Sequence, residues 1–222
     1  MASEELKELY QKKTTTYANS RPEMLTFAPA HCNKVLDVGC GEGNFAVTLK
    51  TQKNCEVWGV DINQPASDSA AHHLDKILCV DLTENMDVIP DNYFDVIYFN
   101  DVLEHLPNPA RLLKDIRKKL VPNGVVIASI PNVRHFSVLL MLLRDKDFKY
   151  EQAGIMDETH LRFFTRKSIM RLFEESDYDI NSLTPINASK SIRPKLMKLF
   201  TLGLIGNDIS YLQYVVVASP HS

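Results

Sequence analysis

The chain has 222 residues, 25 lysines and arginines against 28 aspartates and glutamates, a formal net charge of −3 and 45% hydrophobic residues. That length and composition suit one generous globular domain spanning 1–222 and exclude a disordered chain. The slight acidic balance also argues against a partner such as nucleic acid, whose phosphates demand a surplus of basic side chains. The N-terminal MASEELKELYQKK is charged and lacks the apolar core of a signal peptide, and no run approaches the roughly 18 apolar residues of a membrane span, so a cytoplasmic chain without a transmembrane segment is expected. Cys32, Cys40, Cys55 and Cys79 match neither a zinc knuckle nor a disulfide framework and read as free, partly buried thiols.

Apolar runs alternating with helical patterns predict an α/β sheet. Lys34 to Val38 is the first strand, followed by a glycine turn and a helix from about Asn44 to Lys50. Glu56 to Asp61 is the second strand, Pro65 to His73 a helix with proline in its first turn, and Ile77 to Val80 a short third strand. Phe94 to Phe99 is continuously apolar, as a strand covered on both faces must be. Asn108 caps the next helix, Pro109 opens it, and Leu112, Leu113, Ile116 and Leu120 share one face. Pro122-Asn123-Gly124 reads as a turn before a fifth strand, Gly124 to Ile130. An apolar helix at about 135–143 then falls within a long lid or substrate insertion, about 133–164. A helix capped by Thr165 and two late strands, Tyr178 to Ile186 and Tyr211 to Ser219, complete the chain. The expected architecture is therefore a Rossmann-like, doubly wound, seven-stranded sheet, mostly parallel with an antiparallel last strand and helices on both faces.

The chemistry concentrates in Val35-Leu36-Asp37-Val38-Gly39-Cys40-Gly41-Glu42-Gly43. Glycines there let backbone approach a ligand where a strand turns sharply into a helix. The dinucleotide fingerprint would need glycine where Asn44 stands, which counts against a nicotinamide-dependent oxidoreductase. Asp61, at the tip of the second strand, is placed to accept both ribose hydroxyls of an adenosine.

These residues resemble the class I S-adenosylmethionine-dependent methyltransferases, whose signature reads like VLDVGCGEG; the resemblance runs from about Tyr10 to Asp179. Val80-Asp81-Leu82 is similar to the adenine-contacting turn, and Phe94-Asp95-Val96-Ile97 with Asn100 to Leu106 is similar to the motif after strand four. The resemblance implies S-adenosylmethionine as cofactor, with Gly39, Gly41, Gly43 and Asp37 beside its methionine part. It also places Asp61 at the ribose, Asp81 at the adenine with Leu82 in the same turn, and Asn100 near the sulfonium, with Ile62 a further cofactor-binding residue. Ile130 to His135 and Asp157 to Thr165 are similar to a bacterial subgroup of surface-polysaccharide and glycan biosynthesis. In that subgroup the segment like Tyr17 to Pro22 closes over the cofactor, so Tyr17 and Arg21 would meet its carboxylate.

The implied activity is methyl transfer to a small-molecule or glycan-precursor acceptor, with a hydroxyl the leading target. A quinone-like or aromatic acceptor is the nearest alternative, and a noncatalytic cofactor-binding module a further one. Such a reaction needs alignment, exclusion of water and a base where the nucleophile keeps its proton; His105 and His160 are the candidates. Asp157 and His160 alone are too few ligands for a metal site, and no metal is expected. Glu104 reads as a structural residue at a helix start, His72 and His73 as exposed, and Val138 to Leu143 as a buried helix face. Lys190, Arg193, Lys195 and Lys198, interleaved with Ile192, Leu196, Leu199 and Phe200, read as a surface or oligomer-contact helix with Pro194 in its first turn. Residues 35–110 carry a net charge of −10 and residues 111–222 a net of +6. An acidic cofactor half suits a sulfonium, and a basic acceptor half suits an anionic acceptor.

Overall fold

The computed structural model describes residues 20–221. Seven strands, β1 (Lys34–Val38), β2 (Glu56–Asp61), β3 (Lys76–Cys79), β4 (Phe94–Asn100), β5 (Leu120–Pro131), β6 (Tyr178–Ala188) and β7 (Tyr211–Pro220), form one sheet in the order β3-β2-β1-β4-β5-β7-β6. The first five strands are parallel, and β7 runs antiparallel to both β5 and β6. The helices are α1 (Asn44–Lys53), α2 (Gln64–Ala70), α3 (Pro109–Ile116), α4 (Phe136–Leu140), α5 (Arg166–Glu174) and α6 (Arg193–Phe200).

The period-two alternation of the central strands divides the interior into two cores. Leu36, Val38, Ile97 and Phe99 pack with Leu112, Leu113 and Ile116 of α3 and Ile169 and Phe173 of α5. Val35, Val96 and Tyr98 face the other way, against Phe45, Ala46 and Leu49 of α1 and against Met24 and Leu25. Two helix starts are fixed by the side chains that the sequence offers. Asn108 accepts the Arg111 N–H at 3.1 Å. Thr165 accepts the Ser168 N–H, while the Ser168 hydroxyl accepts the Thr165 N–H at 2.8 Å, a reciprocal cap.

Several boundaries differ from the sequence reading. Pro122-Asn123-Gly124 is not a turn preceding β5 but an irregularity inside it: Asn123 has φ +67° and the register against β4 shifts between Phe94 and Val96. The helix expected at 135–143 ends at Leu140 and passes into a π-helical turn, Met141–Asp145, which leaves Leu142 and Leu143 exposed instead of buried. α1 continues to Lys53, and α2 begins at Gln64 because the Asn63 side chain accepts the Ala66 N–H at 3.0 Å. The basic segment does form a helix with Pro194 in its first turn, and Ile192, Leu199, Phe200, Leu202 and Leu204 stand largely in solvent. All four cysteines are free thiols, with Cys32, Cys40 and Cys55 buried. Among the described residues no helix is long and apolar enough to cross a membrane.

Leu113 is fully buried between α3 and the sheet, so Leu113→Ala should lower unfolding free energy by about 2–5 kcal/mol. Thr165→Ala, which removes only a cap, should cost about 0.5–2 kcal/mol. Urea denaturation of the two variants checks both the values and their order.

Candidate active site

The strand order reverses at β1, whose neighbours are β2 and β4, and ligand crevices of open α/β sheets form at such a switch point. Gly39, Gly41 and Gly43 leave the tip of β1 with φ of +71°, +54° and +82°, the left-handed backbone that glycine adopts at least cost. At Gly39 a Cβ would also lie 2.6 Å from Val102 Cγ2. The turn is held by Asp61: its Oδ2 accepts the Gly41 N–H at 2.8 Å and its Oδ1 accepts the Asn63 N–H at 2.8 Å. Asp61 is 6% exposed, and each carboxylate oxygen keeps further lone-pair capacity for a ligand hydroxyl. The Asp61 carbonyl accepts the Val80 N–H at 3.0 Å, which sets the exit of β3 beside it. There Asp81 Oδ1 accepts from the Thr83 backbone and hydroxyl, and Leu82 is buried. Ile62, between Asp61 and the capping Asn63, is half-buried.

Asp37 is 1% exposed; burial, reinforced by the nearby Asp61 charge, pushes its carboxyl up to about 7. The Asn100 amide lies 3.5 Å from Asp37 Oδ1, and Asn100 Oδ1 is buried without a hydrogen-bond partner. A carboxyl group poised near neutrality and an orphaned buried acceptor both suit a cationic ligand rich in N–H donors.

Arg21, with φ +44°, lies across the ends of β4, β5 and β7. Its guanidinium pairs with the Asp101 carboxylate and donates to Ser129 Oγ at 3.0 Å and Gln213 Oε1 at 3.3 Å. Its charge also lowers the pKa of Asp37. Arg21, Glu23, Asp101, Asn187 and Gln213 line a cleft of about 310 Å³. Tyr17 lies outside the described residues.

The sequence-predicted histidines meet although 55 positions separate them. Leu161 and Arg162 both donate backbone N–H groups to the Glu104 carbonyl at 2.9 Å, which straps the segment after β5 to the turn after β4. The rings of His105 and His160 are consequently 4.6 Å apart, edge to face. Glu104, read from sequence as a structural residue at a helix start, is 1% exposed, and His160 Nε2 is 4.0 Å from its Oε1. Burial, with the Asp101 charge adding to it, holds the Glu104 carboxyl well above the usual carboxylate range. Phe163, Phe148 and Tyr150 extend outward from His160 with ring centroids 5.5–6.3 Å apart. Asp157 stands behind the histidines, accepting from Thr159.

A seven-stranded sheet of this order, with a glycine turn and an acidic residue at the next strand tip, defines a class I methyltransferase fold. The chain belongs to the methyltransferase-domain family, whose model matches residues 3–183, and is an S-adenosylmethionine-dependent methyltransferase. It is 28% identical over 184 residues to a ubiquinone biosynthesis O-methyltransferase of Azoarcus sp. (strain BH72), covering 75% of this chain and 78% of that one. It is 25% identical over 185 residues to the protein of the same name from Aeromonas salmonicida (strain A449), covering 81% and 74%. Among solved structures, a SAM dependent methyltransferase from Archaeoglobus fulgidus shares the fold with a TM-score of 0.69 at 18% identity, covering 96% of this chain and 93% of that one.

Because the folded pKa of Asp37 is raised, the unfolded chain releases this proton first. The carboxyl group therefore costs folding free energy progressively as pH rises from about 4 to about 7, and no further above that. Asp37→Asn removes the penalty. Its stability relative to the parent chain should improve across that window, by up to about 4 kcal/mol, and stay level at higher pH, as urea denaturation at pH 4, 6 and 8 would show.

Proposed function

We propose that this methyltransferase acts on a hydroxyl oxygen of a small aromatic acceptor. When bound, S-adenosylmethionine supplies a methyl group already activated on a sulfonium. In this reading Asp61 and Ile62 hold the ribose, Asp81 and Leu82 the adenine, and Asp37 with Gly39, Gly41 and Gly43 the methionine part. Asn100 lies near the sulfonium, and Tyr17 and Arg21 close over the cofactor carboxylate. The acidic pair Asp37 and Asp61 favours a cation over the pyrophosphate of a dinucleotide, which disfavours the oxidoreductase reading.

The observation that carries acceptor-hydroxyl chemistry is the cluster at the exit of β4. His160 Nδ1 meets the Ile155 carbonyl at 2.9 Å; a carbonyl only accepts, so Nδ1 carries the proton and Nε2 the lone pair. Nε2 is then the atom that takes the hydroxyl proton, with Glu104 Oε1 4.0 Å from it. The neighbouring His105 is the second proton acceptor. Phe148, Tyr150 and Phe163 suit a planar acceptor, and the O-methyltransferase relatives are named for a quinone pathway. A glycan-precursor hydroxyl is the second reading, supported by the +6 charge of residues 111–222, which suits an anionic acceptor.

Calorimetry should give S-adenosylmethionine binding that Asp61→Ala weakens at least tenfold; equal affinity would remove Asp61 from the ribose role. Transfer of labelled methyl to catechol-like and nucleotide-sugar acceptors, followed by mass spectrometry, should mark the aromatic hydroxyls. Product confined to the sugars would replace the first reading by the second. His160→Ala should lower turnover about 10²–10⁴-fold, and more than His105→Ala.

A further inference from the structure

The cluster at the exit of β4 also has the features of a ligand set, and an occupied site would take the place of the free base: a cation on His160 Nε2 uses the lone pair that would accept the proton and acidifies a bound hydroxyl instead. We propose that Glu104, His105 and His160 bind one divalent cation of the first transition series. Each offers one ligand atom, and these atoms lie within 4.8 Å of one another. Ligands about 2.1 Å from a shared tetrahedral ion stand roughly 3.5 Å apart, so adjustment of side chains suffices to close the set.

Both imidazoles are oriented by backbone carbonyls. His160 Nδ1 donates to Ile155 O, and His105 Nδ1 faces Thr159 O at 3.2 Å and Thr159 Oγ1 at 3.1 Å. The Thr159 hydroxyl donates in turn to Asp157 Oδ1 at 2.6 Å, so a carboxylate backs the His105 contact. Such outer partners fix the tautomer and raise the basicity of the inward nitrogen.

Glu104 supplies the independent observation. Its side chain is buried, and neither carboxylate oxygen has a hydrogen-bond partner among the described residues. An unpartnered buried carboxyl group is costly in either protonation state, whereas a cation satisfies it directly. Two imidazoles and one carboxylate favour manganese, iron, cobalt or zinc over calcium or magnesium, which prefer oxygen ligands. Three protein ligands also leave coordination positions open for oxygens of an acceptor. The cation site rests on this geometry alone; its use in holding the acceptor hydroxyl rests on the reading above. Sequence spacing paired His160 with Asp157, and only the fold substitutes Glu104 and His105 as its partners.

The full chain, stripped with EDTA, should be titrated with Co²⁺ while the visible spectrum and the calorimetric stoichiometry are followed. One equivalent should bind, with d–d bands of a low-coordinate site, and Zn²⁺ should displace it. Glu104→Gln and His160→Asn should each weaken binding at least tenfold while circular dichroism and S-adenosylmethionine affinity stay unchanged. The proposal is overturned by absence of cobalt binding to the parent chain, or by equal binding to whichever of the two variants folds. Cobalt binding without S-adenosylmethionine binding would leave the cation site standing and remove the functional reading. Undiminished turnover after EDTA treatment would remove the cation from acceptor binding.

Discussion

The Asp61 carboxylate is the constraint on which the site depends. One of its oxygens holds the N–H of Gly41 in the turn after β1, and the other holds the N–H of Asn63 at the start of α2. A side chain at the tip of one strand thereby fixes the backbone of two loops and stays able to accept from a ligand. Asn63, positioned in this way, caps α2 by accepting the Ala66 N–H. Loop shape, helix start and ligand acceptor are one hydrogen-bonded unit, so none can be optimised independently of the others.

A second theme is the gathering of acidic groups at low exposure. Asp37 and Asp61 lie at adjacent strand tips, and Asp101 and Glu104 follow β4. Arg21 pairs directly with Asp101 and reaches Asp37 and Glu104 only through its longer-range charge, which burial outweighs at both. A folded state that retains such groups gives up stability that a positive ligand can return, a common compromise between a stable scaffold and a prepared site. These four groups add to the acidic balance of residues 35–110, the stretch that contains the strand tips of the crevice.

Much of this was legible in the sequence because backbone requirements leave strong local marks. The glycine turn, Asp61, the Asn108 and Thr165 caps and the five parallel strands each rest on a short string whose chemistry fits only one kind of local structure. Pro122-Asn123-Gly124 misled because the same three residues serve a turn or a bulge, and only pairing with β4 decides between them. Leu142 and Leu143 looked buried because an apolar run says nothing about where a helix stops facing the core. The surroundings of Glu104 are illegible for a different reason. Its neighbours come from residues 155–163, and no local pattern reports that the segment after β5 returns to the turn after β4. Arg21 likewise finds Asp101 just after β4, Ser129 in β5 and Gln213 in β7, partners far apart in the sequence.

The position of β7 has a consequence for how the chain folds. β7 lies between β5 and β6 and hydrogen-bonds to both, so β6 has no place in the sheet until Tyr211–Pro220 arrives. The five parallel strands, by contrast, meet one another without it. During synthesis the half that carries the glycine turn can begin to collapse while β6 waits with an unpaired edge, a period in which strand edges invite mispairing. The antiparallel insertion of β7 closes that period. The Gln213 that enters with it reaches Asp101, with its Nε2 donating at 2.6 Å, and Arg21, so completion of the sheet and completion of the cleft occur together.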